Sequence, residues 1–184
     1  MKAIMITVRL WWFYLTYKGI KTAEIRRIFA KDFKGKIFEC VSKTNWKKDL
    51  MKIPEEEREF FKQFVGKVGL CFECDKVEEI LSKENGNFYT NFLSNRKLLT
   101  QSCLTQNELR DYMAGNWKQK FYSYWYGGYA IHIDNLVVFD KPKEIKEFSH
   151  YDNSQYQALP NGEQYRGVLE PLTRAPQSYM YIEI

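Results

Sequence analysis

Hydrophobic and polar positions alternate along this chain in short stretches, predicting several strands and a few brief helices. Ala3–Val8 is an almost unbroken apolar run of strand length, which reads as a strand buried on both faces. The apolar stretch Leu10–Lys18 reads as a helix, stopped by Gly19, a residue suited to the left-handed position after a helix end. Thr22–Arg27 sets Ala23, Ile25 and Arg27 against Thr22, Glu24 and Arg26, the two-residue period of a strand. Lys36–Ser42 predicts a third strand. Pro54-Glu55-Glu56-Glu57 opens a helix to about Phe64, because proline fits a first turn and acids complement the amino-terminal dipole. Gly66–Ile80 predicts another strand with a bulge or bend, and the polar Ser82–Gln101 a long loop. Thr105-x-x-Glu108 is a capping box, placing a helix at Gln106–Ala114. Tyr129–Phe139 reads as a strand broken at Asp134-Asn135, Lys141–Glu144 as the start of a short turn or helix, and His150–Pro176 as loop. Ser178–Ile184 closes the chain as a strand.

Many strands, short helices and no long crossover helix predict an α+β fold: a small mixed or antiparallel β-barrel with helices at its rim. The 184 residues suit one domain. Two insertions are expected within it, a helix around 54–64 and an aromatic-rich segment around 115–128.

Composition sharpens this picture. A hydrophobic content of 45% excludes a disordered chain. The 5 Trp, 13 Tyr and 13 Phe exceed what one core uses, so some aromatics are expected to line a surface or cleft. A net charge of +5 suits an anionic ligand or nucleic acid, and equally a solvated surface with a slight lysine excess. No apolar run approaches membrane-spanning length, and no membrane partner is expected. Arg9 interrupts the apolar start and no small-residue cleavage site follows, so a cytoplasmic protein is expected. Cys71 and Cys74 form a C-x-x-C inside a strand pattern. Residues three apart on a strand face opposite ways, so free buried thiols are expected rather than a metal centre, and no cofactor.

The most specific stretch is Gly19-Ile20-Lys21-Thr22-Ala23-Glu24-Ile25-Arg26. Glu24 and Arg26 share one strand face, and Lys21 approaches the same space from the turn before it. A cation–carboxylate–cation trio at a helix-to-strand corner makes a polar pocket, or else a surface ion-pair ladder that contributes little stability.

The pattern Gly-x-Lys-x-x-Glu-x-Arg after an amino-terminal strand and helix resembles the signature of the ASCH domain, within the PUA-like superfamily. The Lys36–Lys43 and Gly66–Ile80 strands and the closing Ala175-Pro176-Gln177-Ser178-Tyr179 reinforce the resemblance. Gly128–Asp134 is similar to ASCH-like proteins of bacteria and their phages. The resemblance implies a pseudo-barrel whose Lys–Glu–Arg motif lines a cleft, and RNA, single-stranded nucleic acid or a nucleotide as partner. It draws in Ser42, Lys43, Gln177 and Ser178 as further ligand-binding positions. Some small members remove the acetyl group from N4-acetylcytidine, using the motif lysine, a threonine three residues on, and a later glutamate. Lys21 matches the lysine, Glu24 stands where the threonine would be, and the glutamate falls near Ser102. Two of the three roles are therefore altered here.

The remaining candidates fit around this motif. Trp11, Trp12 and Tyr14 cannot all face one way on a helix, so one tryptophan is expected near the cleft. There it would stack a base, worth roughly 1–3 kcal/mol, while Arg9, Lys21 and Arg26 neutralise phosphate and Glu24 accepts a base-edge N–H. The aromatic cluster from Trp117 to Tyr129, with Lys118 and Lys120, suits single-stranded nucleic acid or a partner interface. His132 alternates with Asp134 and reads as a general base oriented by a carboxylate, or as a hydrogen-bonded structural histidine. Cys103 is a conceivable nucleophile. Three functions follow: a nucleotide- or RNA-binding module; a hydrolase of a modified nucleoside or RNA with Lys21 and Glu24 as acid–base pair; and a phage protein that neutralises a host protein.

Overall fold

The computed structural model describes residues 2–82, 88–90, 93–114, 127–151 and 169–184. Most of the expected aromatic insertion, residues 115–126, lies outside them, as does the stretch 152–168 within the expected loop. The architecture is mixed α+β and mostly sheet, with few and short helices. The chain divides into two compact units, one of Met1–Phe13, Lys36–Cys71 and Val137–Ile184, the other of Tyr14–Gly35 and Phe72–Leu136. Among the described residues, no helix is long and apolar enough to cross a membrane.

The first unit is built on strand β1 (Lys2–Val8), whose interior is buried on both faces. That explains its apolar run: a strand with neighbours on both sides and cover on both faces has no position for polar alternation. β1 pairs in parallel with β3 (Gly35–Val41), Val8 opposite Val41, and antiparallel with β11 (Tyr179–Glu183), Ile6 opposite Tyr179. With β4 (Val68–Cys74), β8 (Asp134–Lys143), β9 (Ser149–Tyr151) and β10 (Leu169–Pro171), the sheet order is β10-β9-β11-β1-β3-β4-β8. One face carries the core of Ala3, Met5, Phe38, Cys40, Val68, Phe148, Leu172 and Ile182. Burial pushes the Cys40 thiol up to about 12, opposed by Lys43. In the same unit Phe13, from the first helix, packs against Phe61 and Phe64. Gly69 belongs to that packing, because a Cβ there would lie 2.5 Å from Phe64 Cδ1.

The second unit holds an antiparallel sheet in the order β2-β7-β5-β6: β2 (Ala23–Arg26), β7 (Gly128–His132), β5 (Val77–Ser82) and β6 (Phe88–Tyr89). Helices α4 (Asn95–Ser102) and α5 (Gln106–Ala114) supply Leu98, Leu109 and Met113 to a core with Ile25, Ile80, Phe88, Leu93 and Ala130. The capping box forms as expected: Thr105 N–H donates to Glu108, and Glu108 N–H donates to the Thr105 hydroxyl. The bend expected inside Gly66–Ile80 falls at Asp75-Lys76, between β4 and β5. The break expected at Asp134-Asn135 falls one residue earlier, at Ile133.

Four expectations are corrected. The loop read over Ser82–Gln101 contains α4, a helix hidden by its polarity; Ser94 caps it and Leu98 anchors it in the core. The short helix expected to start at Lys141–Glu144 is present as a 3-10 turn, Ile145–Glu147, capped by Glu144, but it begins later than expected because β8 continues through Pro142 to Lys143. Proline is tolerated there because β8 is an edge strand. The described ends of His150–Pro176 carry strand residues of β9 and β10. The helix expected from Pro54 is a short 3-10 turn, Glu55–Glu57, followed by α3 (Arg58–Lys62). A further short helix, α2 (Trp46–Leu50), carried no periodic signal, since five residues are too few to show one.

Candidate functional site

The Lys21 corner is produced by local chain chemistry. The first helix, α1 (Leu10–Tyr17), is apolar all round, so it needs burial rather than a polar face. It ends in Gly19 at φ +68°, with Gly19 N–H donating to Thr16 C=O and Ile20 N–H to Leu15 C=O. Those two bonds satisfy the helix's orphan carbonyls and reverse the chain. The second unit then holds the turn from α4: Thr22 N–H donates to Gln101 C=O at 2.9 Å, and Cys103 Sγ lies 3.6 Å from Ile20 C=O.

Lys21, Glu24 and Arg26 come together as the spacing required. Their side chains are only 4%, 7% and 9% exposed. Lys21 Nζ donates to Glu24 Oε2, and Arg26 Nε lies 2.8 Å from Glu24 Oε1. Burial works to raise the Glu24 carboxyl, but the charges of Lys21 and Arg26 outweigh it and hold the group below its ordinary value. The carboxylate is therefore ionised at neutral pH.

Two further groups stand within electrostatic reach. Burial raises the Cys103 thiol, and Lys21 opposes that shift. Burial raises the Tyr112 phenol, against the charge of Arg26. The Tyr112 ring also lies 5.9 Å from the Arg27 guanidinium. Tyr112 was invisible to sequence reasoning because it sits on a helix 86 positions from Arg26.

His132 is placed elsewhere. Register puts Glu24 opposite Ile131 and Arg26 opposite Tyr129, whereas Ile25 and Glu78 both face Ala130. Directly paired residues share a face. His132, two residues from Ala130, therefore lies on the face opposite Glu24 and Arg26. Its carboxylate partner is Glu78 rather than Asp134: His132 Nε2 and Lys76 Nζ approach Glu78 Oε1 at 2.8 and 2.9 Å, while the Thr90 hydroxyl donates to Oε2. Burial would raise Glu78, yet the hydrogen bonds from Thr90, Lys76 and His132 hold it below its ordinary value.

Arg9, Trp11, Trp12, Ser42, Lys43, Gln177 and Ser178 belong to the first unit. Several gather at one rim of its sheet. Ser42 N–H donates to Val8 C=O at the carboxyl ends of parallel β1 and β3. The Thr7 hydroxyl donates to Pro176 C=O at 2.6 Å, bringing Gln177 and Ser178 to the same end. Arg9 forks onto Asp49 of α2, Nε to Oδ2 at 3.0 Å and a terminal nitrogen to Oδ1 at 2.5 Å. Trp11 and Trp12 are both half-buried. Asp49 had no sequence signal, since it reads as one acid in a lysine-rich run.

The two cysteines of the C-x-x-C are buried in β4, as the strand reading expected. Cys71 lies in the first unit's core, and burial pushes the Cys74 thiol up to about 11. Set against known protein families and curated proteins, the chain matches none.

Proposed function

We propose that this chain is an RNA- or nucleotide-binding module of the PUA-like, ASCH type, holding a base or nucleotide at the Lys21–Glu24–Arg26 cluster. The observation that carries the reading is an ionised carboxylate buried between two cations on one strand face. A buried ion cluster adds little net stability compared with apolar packing, so stability alone does not call for it. It does supply preorganised groups of both signs. A carboxylate has roughly four lone-pair sites, more than Lys21 and Arg26 use, so Glu24 can accept base-edge N–H groups while the cations face phosphate.

The hydrolase reading draws less support. A general base works best with a pKa near the working pH, and Glu24 is held in the opposite direction. The reading as a phage protein against a host factor rests on the aromatic insertion and keeps its place only as an outcome of a pull-down.

Cys103 offers a test on the native protein. A nucleotide seated beside Lys21 slows alkylation of Cys103 by iodoacetamide, with saturation that reports its affinity. Lys21→Ala with Arg26→Ala removes that protection and weakens fluorescence-polarisation binding of labelled single-stranded RNA. Unchanged protection and unchanged binding in a variant shown to be folded would overturn the proposal. If that double variant does not fold, Arg26→Lys, which keeps the charge and loses the guanidinium, carries the test.

A further inference from the structure

The lysine-rich stretch after β3 raises a separate question. Among residues 42–52, Lys43, Lys47, Lys48 and Lys52 are all exposed, and the single acid, Asp49, is buried. Asp49 is also committed to Arg9, whose side chain is 42% exposed against 0% for Asp49. The one negative charge within the stretch is thus hidden beneath an arginine; outside it, the exposed Glu144 lies within electrostatic reach of Lys43 and is ion-paired with Lys67 at 2.9 Å. Two aromatic rings lie among the lysines of the stretch. Lys52 Nζ sits 5.6 Å from the Trp11 ring centre and Lys47 Nζ 5.8 Å from that of Trp46. Trp46 is half-buried, like Trp11. The Lys43 stem runs past Gly66 at φ +81°, where a Cβ would strike it, so glycine leaves the room this stem occupies. The Arg9–Asp49 fork and the Lys52–Trp11 contact tie the start of α1 to α2, making one continuous patch of the first unit. In sequence the lysine-rich stretch ends before the exposed Glu55 and Glu56.

We propose that this patch is a docking surface for a single-stranded nucleic acid. The lysines track phosphates, and Trp11 and Trp46 stack bases. Cations alone would suit any polyanion. Indole rings interleaved with them favour a ligand that alternates phosphate with flat bases, and a single strand exposes those bases where a duplex hides them. The proposal does not depend on the Lys21 cluster, which belongs to the other unit.

The test measures binding of the intact chain to labelled oligouridylate, oligothymidylate, a duplex of equal length and phosphatidylserine vesicles. Four phosphate-contacting lysines predict a log–log salt slope of about −2.8 for a single strand, or roughly fifty-fold weakening between 50 and 200 mM salt. Lys47→Gln with Lys48→Gln, both exposed and safe for folding, halves that slope to about −1.4. Trp11→Ala or Trp46→Ala weakens binding about five- to 150-fold, the range for losing one stacked base, and phenylalanine at either position restores most of it. Neither lysine change alters nucleotide protection of Cys103, which separates this surface from the Lys21 cluster. Equal affinity for duplex or vesicles, no single-strand binding at 50 mM salt, or indifference to Lys47→Gln/Lys48→Gln would each overturn the proposal.

Discussion

Arg9 and Asp49, 40 positions apart, form a two-pronged ion pair in which one partner is fully buried and the other reaches solvent. Their removal should therefore be unequal. Arg9→Ala strands a buried carboxylate and is expected to cost about 3–5 kcal/mol, whereas Asp49→Ala leaves an arginine that can turn to water and costs less. The double variant should be more stable than the sum of the single losses predicts. Urea denaturation of the three proteins checks this, and equal single losses would refute it.

Glu24 contributes acid sensitivity to the second unit. Its carboxyl is held below the ordinary value in the folded chain, so its contribution is present above the unfolded pKa, near 4.5, and is lost as pH falls through the lower folded value. Glu24→Gln removes that dependence and leaves Lys21 and Arg26 buried without a counter-charge, for a loss of about 3–5 kcal/mol at pH 7. The gap between variant and parent should narrow below pH 4.5. A gap that stays constant to pH 3 would count against the buried pair.

Glu78 follows the same sign, with its three hydrogen-bond donors as the cause. Thr90→Val removes the donor to Oε2 and is expected to cost about 1.5–3 kcal/mol, the range for a bond to a charged group. Part of the loss should vanish under acid conditions, where the carboxyl protonates. Thermal melts at pH 7 and pH 3.5 give the comparison.

Two glycines should respond unequally to alanine. A methyl at Gly69 meets Phe64 Cδ1 at 2.5 Å and Phe13 Cε2 at 2.8 Å, so Gly69→Ala is expected to cost about 1–3 kcal/mol by overpacking. Among the described residues nothing lies within 4 Å of a Cβ at Gly127, and Gly127→Ala should be close to neutral. Chemical denaturation distinguishes them directly.

Thiol reactivity should rank by burial. Cys103 is half-exposed, while Cys40, Cys71 and Cys74 are buried. Ellman's reagent is expected to modify Cys103 first in the native protein and the others only on unfolding. Early labelling of Cys74, whose thiol is raised to about 11, would contradict its place in β4.

How much of this was legible beforehand depends on how far apart the interacting groups lie. The Gly19 turn, the alternation of Glu24 and Arg26, and the Thr105–Glu108 box each involve bonds or faces set by neighbours within a few residues, and each is visible in the pattern. α4 escaped because its adjacent Leu98 and Leu99 are flanked on both sides by polar residues, and so short a helix shows little apolar period. β8 ran past Pro142 because an edge position waives the need for that N–H, and edge or centre is a property of the sheet.

The sequence by itself determined the local geometry that brings Lys21, Glu24 and Arg26 to one corner, because a helix end and a strand period act over three to five residues. Only the tertiary structure decided that Arg9 would be taken by Asp49, that His132 would turn to Glu78, 54 positions away, and that this pair would lie on the other face of the sheet. Those choices follow from strand order and register, which arise when distant segments pair to bury their apolar faces, and no local pattern records them.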